Sequence, residues 1–115
     1  MESYVHRWKL DDVEALLPGD AQQGRRYAEP FNHGSMRLGL YAPRGHDPQQ
    51  PHDQDELYVV QSGSGMFVCD QRECRFGPGD VLFVPAHAAH RFESFTDDFK
   101  AWVVFWGPPG GENEP

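Results

Sequence analysis

The chain reads as an all-β domain, a sandwich or barrel preceded by one short N-terminal helix. Three observations predict this. About eight short apolar segments recur at regular spacing along 115 residues, which is the pattern of a small β architecture. Twelve Gly and ten Pro fall between those segments and mark turns. Eight Phe, four Tyr and three Trp supply large buried areas to a chain of otherwise modest apolar content. One domain of ordinary size is expected, long enough to enclose a core.

The helix is expected at Leu10–Leu17 (LDDVEALL). Asp11 and Asp12 suit the positive end of its dipole, Asp11 and Glu14 have capping-box spacing, and Pro18-Gly19 stops it. RRYAEPF (25–31) and SMRLGLYA (35–42) follow as strands, parted by Asn32-His33-Gly34. In the second, Met36, Leu38 and Leu40 share one face, with Arg37, Gly39 and Tyr41 on the other. A Pro-punctuated loop, 43–51, leads to the strand ELYVVQ (56–61), ended by Ser62-Gly63-Ser64-Gly65. MFVC (66–69) and CRF (74–76) form a hairpin around Asp70–Glu73 that sets Cys69 opposite Cys74. VLFV (81–84) ends at Pro85, HRFESF (90–95) resumes after a turn, and KAWVVFW (100–106) is the last strand. The boundaries follow: 1–24 an N-terminal segment with the helix, 25–106 the β domain, 107–115 a flexible tail.

A formal charge of −8 argues against nucleic acid, whose phosphates need clustered Lys and Arg. No apolar run approaches the roughly 20 residues that span a bilayer, and MESYVHRWKLDD lacks the apolar core of a signal peptide. The expected compartment is the cytoplasm, where the two cysteines would be free thiols.

One constellation carries chemistry. His52 and Glu56 stand just ahead of the apolar run Leu57–Val60. On a straight strand residues four apart lie about 13 Å from one another, too far to share an ion. A common ligand therefore requires the chain to fold back at Asp53-Gln54-Asp55, a sequence suited to a tight turn. A third donor is offered by His90, which opens a strand after VLFV-Pro85. Glu56, Tyr58 and Val60 should then point inward together, as should His90 and Phe92.

In these residues the chain resembles a cupin. The first cupin motif, G-x5-H-x-H-x3/4-E-x6-G, is met by His52, Glu56 and Gly63, with Gln50 in place of the first His and Arg44 in place of the leading Gly. The second, G-x5-P-x-G-x2-H-x3-N, is met by Gly79, Pro85 and His90, with His87 in place of Gly and Ser94 in place of Asn. The likeness runs over roughly residues 35–106. It implies a cupin-type jelly-roll β-barrel with a mononuclear divalent transition metal inside, held by Gln50, His52, Glu56 and His90. Two histidines and one carboxylate suit non-haem Fe(II); Mn, Ni and Zn are the other options. Arg37, Tyr41, Tyr58 and Phe92 would line a substrate pocket, while no catalytic acid or base is identifiable. The activity implied is that of an oxygenase-type enzyme, or an isomerase, on a small molecule. The alternative is a non-catalytic barrel that binds a small ligand or metal as a sensor. A purely structural role would need no metal. Pairing into a homodimer is expected, since small barrels commonly cover an exposed edge or aromatic face in this way.

Overall fold

A computed structural model of the chain describes residues 6–19 and 25–113. It contains one short helix, α1 (Leu10–Glu14), and eight strands: β1 (Tyr27–His33), β2 (Met36–Tyr41), β3 (Asp55–Ser62), β4 (Gly65–Cys69), β5 (Arg72–Phe76), β6 (Val81–Val84), β7 (His90–Glu93) and β8 (Lys100–Trp106). All strand pairs are antiparallel, in a five-stranded sheet of order β1-β2-β8-β3-β6 and a three-stranded sheet of order β5-β4-β7. The sheets face each other as in a jelly roll but do not close into a continuously hydrogen-bonded barrel.

Alternation decides what lies between them. Tyr58 and Val60 of β3, Val103 and Phe105 of β8, Phe67 of β4 and Phe92 of β7 meet in one buried cluster with Phe76 and Phe99. Aromatic rings dominate it: Phe92 lies 4.6 Å from Phe99 and 4.9 Å from Tyr58, centroid to centroid. The opposite face of the larger sheet carries a second, smaller cluster. There Val13 of α1 is buried with Ala28 and Leu40, and Trp8, Leu10, Leu17 and Trp102 pack around them.

Several elements depart from expectation at their ends. The α-helix stops at Glu14, its N-cap Lys9 makes no side-chain cap, and Glu14 bonds Lys100 instead (2.8 Å). Strand β1 runs through Pro30, tolerated because β1 is an edge strand with a bulge between Ala28 and Phe31. The β4–β5 hairpin is tighter than expected. Asp70 and Gln71 both take positive φ (48° and 69°), the signature of a two-residue type I′ turn. Cys69 is therefore opposite Arg72 and Cys74 opposite Phe67, and both thiols are free. Gly63, the last residue of the first motif, sits at φ +83° with the Phe99 backbone 2.4 Å from where a Cβ would stand. Only glycine meets both demands there.

Residues after β8, described up to Asn113, make hydrogen bonds to the loop that precedes β3 and to that strand's first residue. The Gly110 N–H bonds the Asp53 carbonyl (2.7 Å) and the Glu112 N–H bonds Asp55 Oδ2 (3.0 Å). The segment is laid over the turn that precedes β3.

Candidate metal centre

The chain bends at residues 53–54, short of the expected three-residue turn, and β3 already begins at Asp55. The chain thus breaks between His52 and Glu56, as sharing an ion requires. Two aspartates build this break. The buried Asp55 accepts from the Ala86 N–H (3.0 Å) as well as from Glu112. Asp53 receives Gly110 and lies 3.2 Å from His87 Nε2, an exposed pair worth little in itself. The His87 N–H bonds the His52 carbonyl (2.6 Å). Backbone of two separate segments, 86–87 and 110–112, is thereby tied around the His52 loop.

Glu56 is 1% exposed on the inward face of β3, and His90 opens β7 at 6% exposure. Ligating atoms of His52, Glu56 and His90 all lie within 4.8 Å of one another. His90 Nε2 stands 3.1 Å from Glu56 Oε1, and His52 Nε2 stands 3.7 Å from the same oxygen. Neither His52 Nε2 nor Glu56 Oε1 has a hydrogen-bond partner, although both atoms are buried. Unpaired buried polar atoms are costly. Here a lone-pair donor and a carboxylate oxygen converge on one point, the donor set a divalent cation satisfies.

The three side chains are themselves held in place. The Ala88 carbonyl accepts from His90 Nδ1–H (2.9 Å), which fixes the ring and turns Nε2 toward Glu56. Burial, the largest influence on His90, pushes its pKa down, but Glu56 and the Ala88 carbonyl outweigh it and the net shift is upward. A positive charge is favoured at that nitrogen. His52 goes the other way: burial chiefly, with help from His90, Arg25 and Arg37, lowers its pKa against the pull of Glu56. It is kept as a neutral donor. Tyr58 is pushed well up by burial and by Glu56, so its hydroxyl stays protonated and donates to Gln49 Oε1 (2.8 Å).

That glutamine is not the one the motif spacing selects. Gln50 is exposed. Gln49 instead points its Oε1 at the cluster, 3.1 Å from His90 Nε2, while its Nε2 donates to Asp47 Oδ2 (2.7 Å). Asp47, buried at 7% exposure, also accepts from the Phe92 N–H (2.8 Å) and from the Tyr41 hydroxyl. The spacing H-x-H assumes a strand across residues 50–52. With Pro48 and Pro51 in this stretch, no strand forms there, so period-two alternation does not hold.

A cavity of about 40 Å³ adjoins the cluster. Arg37, Tyr41 and Tyr58 line it; Phe92 does not, lying deeper in the aromatic core. Arg25, Tyr27, Gln49, Val103 and Phe105 complete the wall. Arg37 crosses over the Phe105 ring (4.5 Å) and is held by Glu29 (3.0 Å) and Gln54 (3.1 Å). His46, the histidine nearest the site in sequence outside the motif, is exposed, as is His33.

The fold agrees with what the chain resembles among known proteins. Residues 37–106 match the family described as Cupin domain, and the chain belongs to that family. It is 35% identical over 104 residues to the Streptomyces coelicolor protein SCO3923, covering 89% of this chain and 95% of that one. It is also 36% identical over 67 residues to the HTH-type transcriptional activator RhaS of Yersinia pestis, a match covering 58% of this chain but 24% of the activator. Among solved structures, a Cupin 2 conserved barrel domain protein from Salinispora arenicola superposes with a TM-score of 0.69 at 20% identity, over 91% of each chain.

Proposed function

We propose that this cupin binds a divalent transition metal through His52, Glu56 and His90, with Gln49 as a fourth donor, and acts on a small organic molecule in the adjoining cavity. The observation that carries the reading is the pair of buried atoms His52 Nε2 and Glu56 Oε1, which make no well-formed hydrogen bond although both face His90, 3.1 Å from the Glu56 oxygen. Two imidazoles and one carboxylate match Fe(II) with positions left for other ligands, and Zn, Mn and Ni compete for such a set. A bound ion would supply Lewis acidity or a site for oxygen, which supports an oxygenase-type activity. The protein's own share is positioning. Ala88 fixes His90, Asp47 aims Gln49, and the Tyr58 hydroxyl donates a hydrogen bond to the Gln49 carbonyl oxygen.

A binding role without turnover is the second reading, favoured by the match to a segment of a transcriptional activator. Our reading of location is the cytoplasm, supported by two free thiols; no described helix is long and apolar enough to cross a membrane. The acidic charge supports a small molecule, rather than nucleic acid or a membrane surface, as partner.

Metal content tests the site. Wild-type protein reconstituted with Fe(II), Mn(II) or Zn(II) should retain about one ion per chain, and His90→Ala should retain less than a tenth of that. Equal retention by both would remove the site. Oxygen uptake by the Fe(II)-loaded protein across small-molecule libraries then separates the enzyme from the binding module.

A further inference from the structure

The cavity beside the metal cluster carries two cations whose situations differ. Arg37 is neutralised by Glu29, steadied by Gln54 and stacked on Phe105. Arg25 has no carboxylate within ion-pairing distance among the described residues, and its one described contact is the Tyr27 ring, 5.5 Å away. In a chain with 18 acidic and 10 basic residues, an arginine left without an acid at a cavity wall is unusual. The cavity is small, about 40 Å³, enough for about three waters at roughly 10–15 Å³ each.

Charge decides the kind of ligand. With a divalent ion on the cluster, Glu56 and the buried Asp47 carboxylate behind Tyr41 and Gln49 offset its two charges, and Glu29 offsets Arg37. The charge of Arg25 remains uncompensated. A cationic ligand is repelled and a neutral one leaves the imbalance, whereas an anion removes it. Guanidinium groups pair best with planar oxyanions, through two parallel N–H···O bonds.

Resting on the metal reading above, we infer that the ligand of this cavity is a small carboxylate, whose charge Arg25 receives at the cavity wall. Arg37, already engaged, shapes the slot rather than providing the main charge contact. The restricted volume favours a carboxylate on a short carbon skeleton over a phosphate ester.

The test uses amide chemical-shift titrations of the full chain, zinc-loaded and zinc-free, with acetate, acetamide and inorganic phosphate as probes. Zinc content is measured on each sample. Acetate should shift cavity resonances in the wild type, bind at least tenfold more weakly to Arg25→Gln, and recover in part in Arg25→Lys. Zinc content should be the same in all three. Acetamide should bind no more than a tenth as well as acetate. Equal acetate affinity in wild type and Arg25→Gln, or acetamide binding as well as acetate, overturns the inference. Phosphate binding more tightly than acetate through Arg25 overturns the carboxylate assignment. If no zinc is retained, the metal reading fails separately. The Arg25 dependence of acetate binding to the zinc-free protein then decides the carboxylate inference by itself.

Discussion

His90 is engaged through both ring nitrogens. Its Nδ1–H is committed to the Ala88 carbonyl, and its Nε2 faces a carboxylate oxygen and an amide oxygen at 3.1 Å each. Electronegative atoms gathered around one nitrogen favour positive charge there, which a proton or a metal ion can provide. Gln49 belongs to that set only because Asp47 holds its amide by the nitrogen end. Replacing Gln49 with Ala should therefore weaken Zn(II) binding about tenfold, roughly 1.4 kcal/mol, the size of one good polar contact. Gln50→Ala should leave it unchanged, and a competition titration against a chelator reads both. His52, Glu56 and His90 were legible from the sequence, because apolar strands follow or surround each of them and pin the register. The glutamine was not. It lies in a stretch flanked by Pro48 and Pro51, where no hydrogen-bond ladder enforces alternation. His87 and Ser94 tell a related story. They stand where the motif has Gly and Asn, and both adopt positive φ (70° and 50°), a conformation that glycine and asparagine adopt most easily.

At the scale of elements, the segment 52–56 is held from outside itself. Asp55 accepts N–H groups from the β6–β7 loop and from the residues after β8, and the His52 carbonyl is capped by the His87 N–H. Truncating Asp55 to Ala leaves the Ala86 and Glu112 N–H groups without their acceptor beside a nearly buried position. The expected loss is about 2–6 kcal/mol, on the order of 1–3 kcal/mol per stranded donor, measured by urea unfolding at equilibrium. Weakened metal retention should accompany it, since His52 loses its anchorage. Composition and alternation revealed the strands themselves, down to the inward face of β3. The clasp left no such trace, because GPPGGENEP shows only polarity and turn residues. Its backbone donors find acceptors through tertiary placement alone.

For the molecule as a whole, the two faces of the five-stranded sheet have different fates. One is buried against the smaller sheet. The other is covered at the β1–β2–β8 side by α1 and Trp8, while at the far edge β6 leaves Val81 and Phe83 more than half exposed. An edge strand presents unpaired N–H and C=O groups that another strand can match. A second copy of this chain, related by a two-fold axis, is the occupant we propose for that edge. Phe83→Lys should turn a dimer into a monomer in sedimentation-velocity experiments at micromolar concentration without lowering the thermal midpoint of the isolated protomer. An unchanged sedimentation coefficient, whether dimeric or monomeric in both proteins, would reject this edge as the contact.

The segment laid over the Asp53–Asp55 turn also sets where mechanical load on the chain would be felt. Force applied at the C-terminal end meets the Gly110 and Glu112 hydrogen bonds before it reaches the β2–β8 and β3–β8 ladders. The first part of the molecule to yield would be the loop that aims His52. Tension at this end would disturb the loop that presents His52 to Glu56 and His90 while the strand ladders stayed intact.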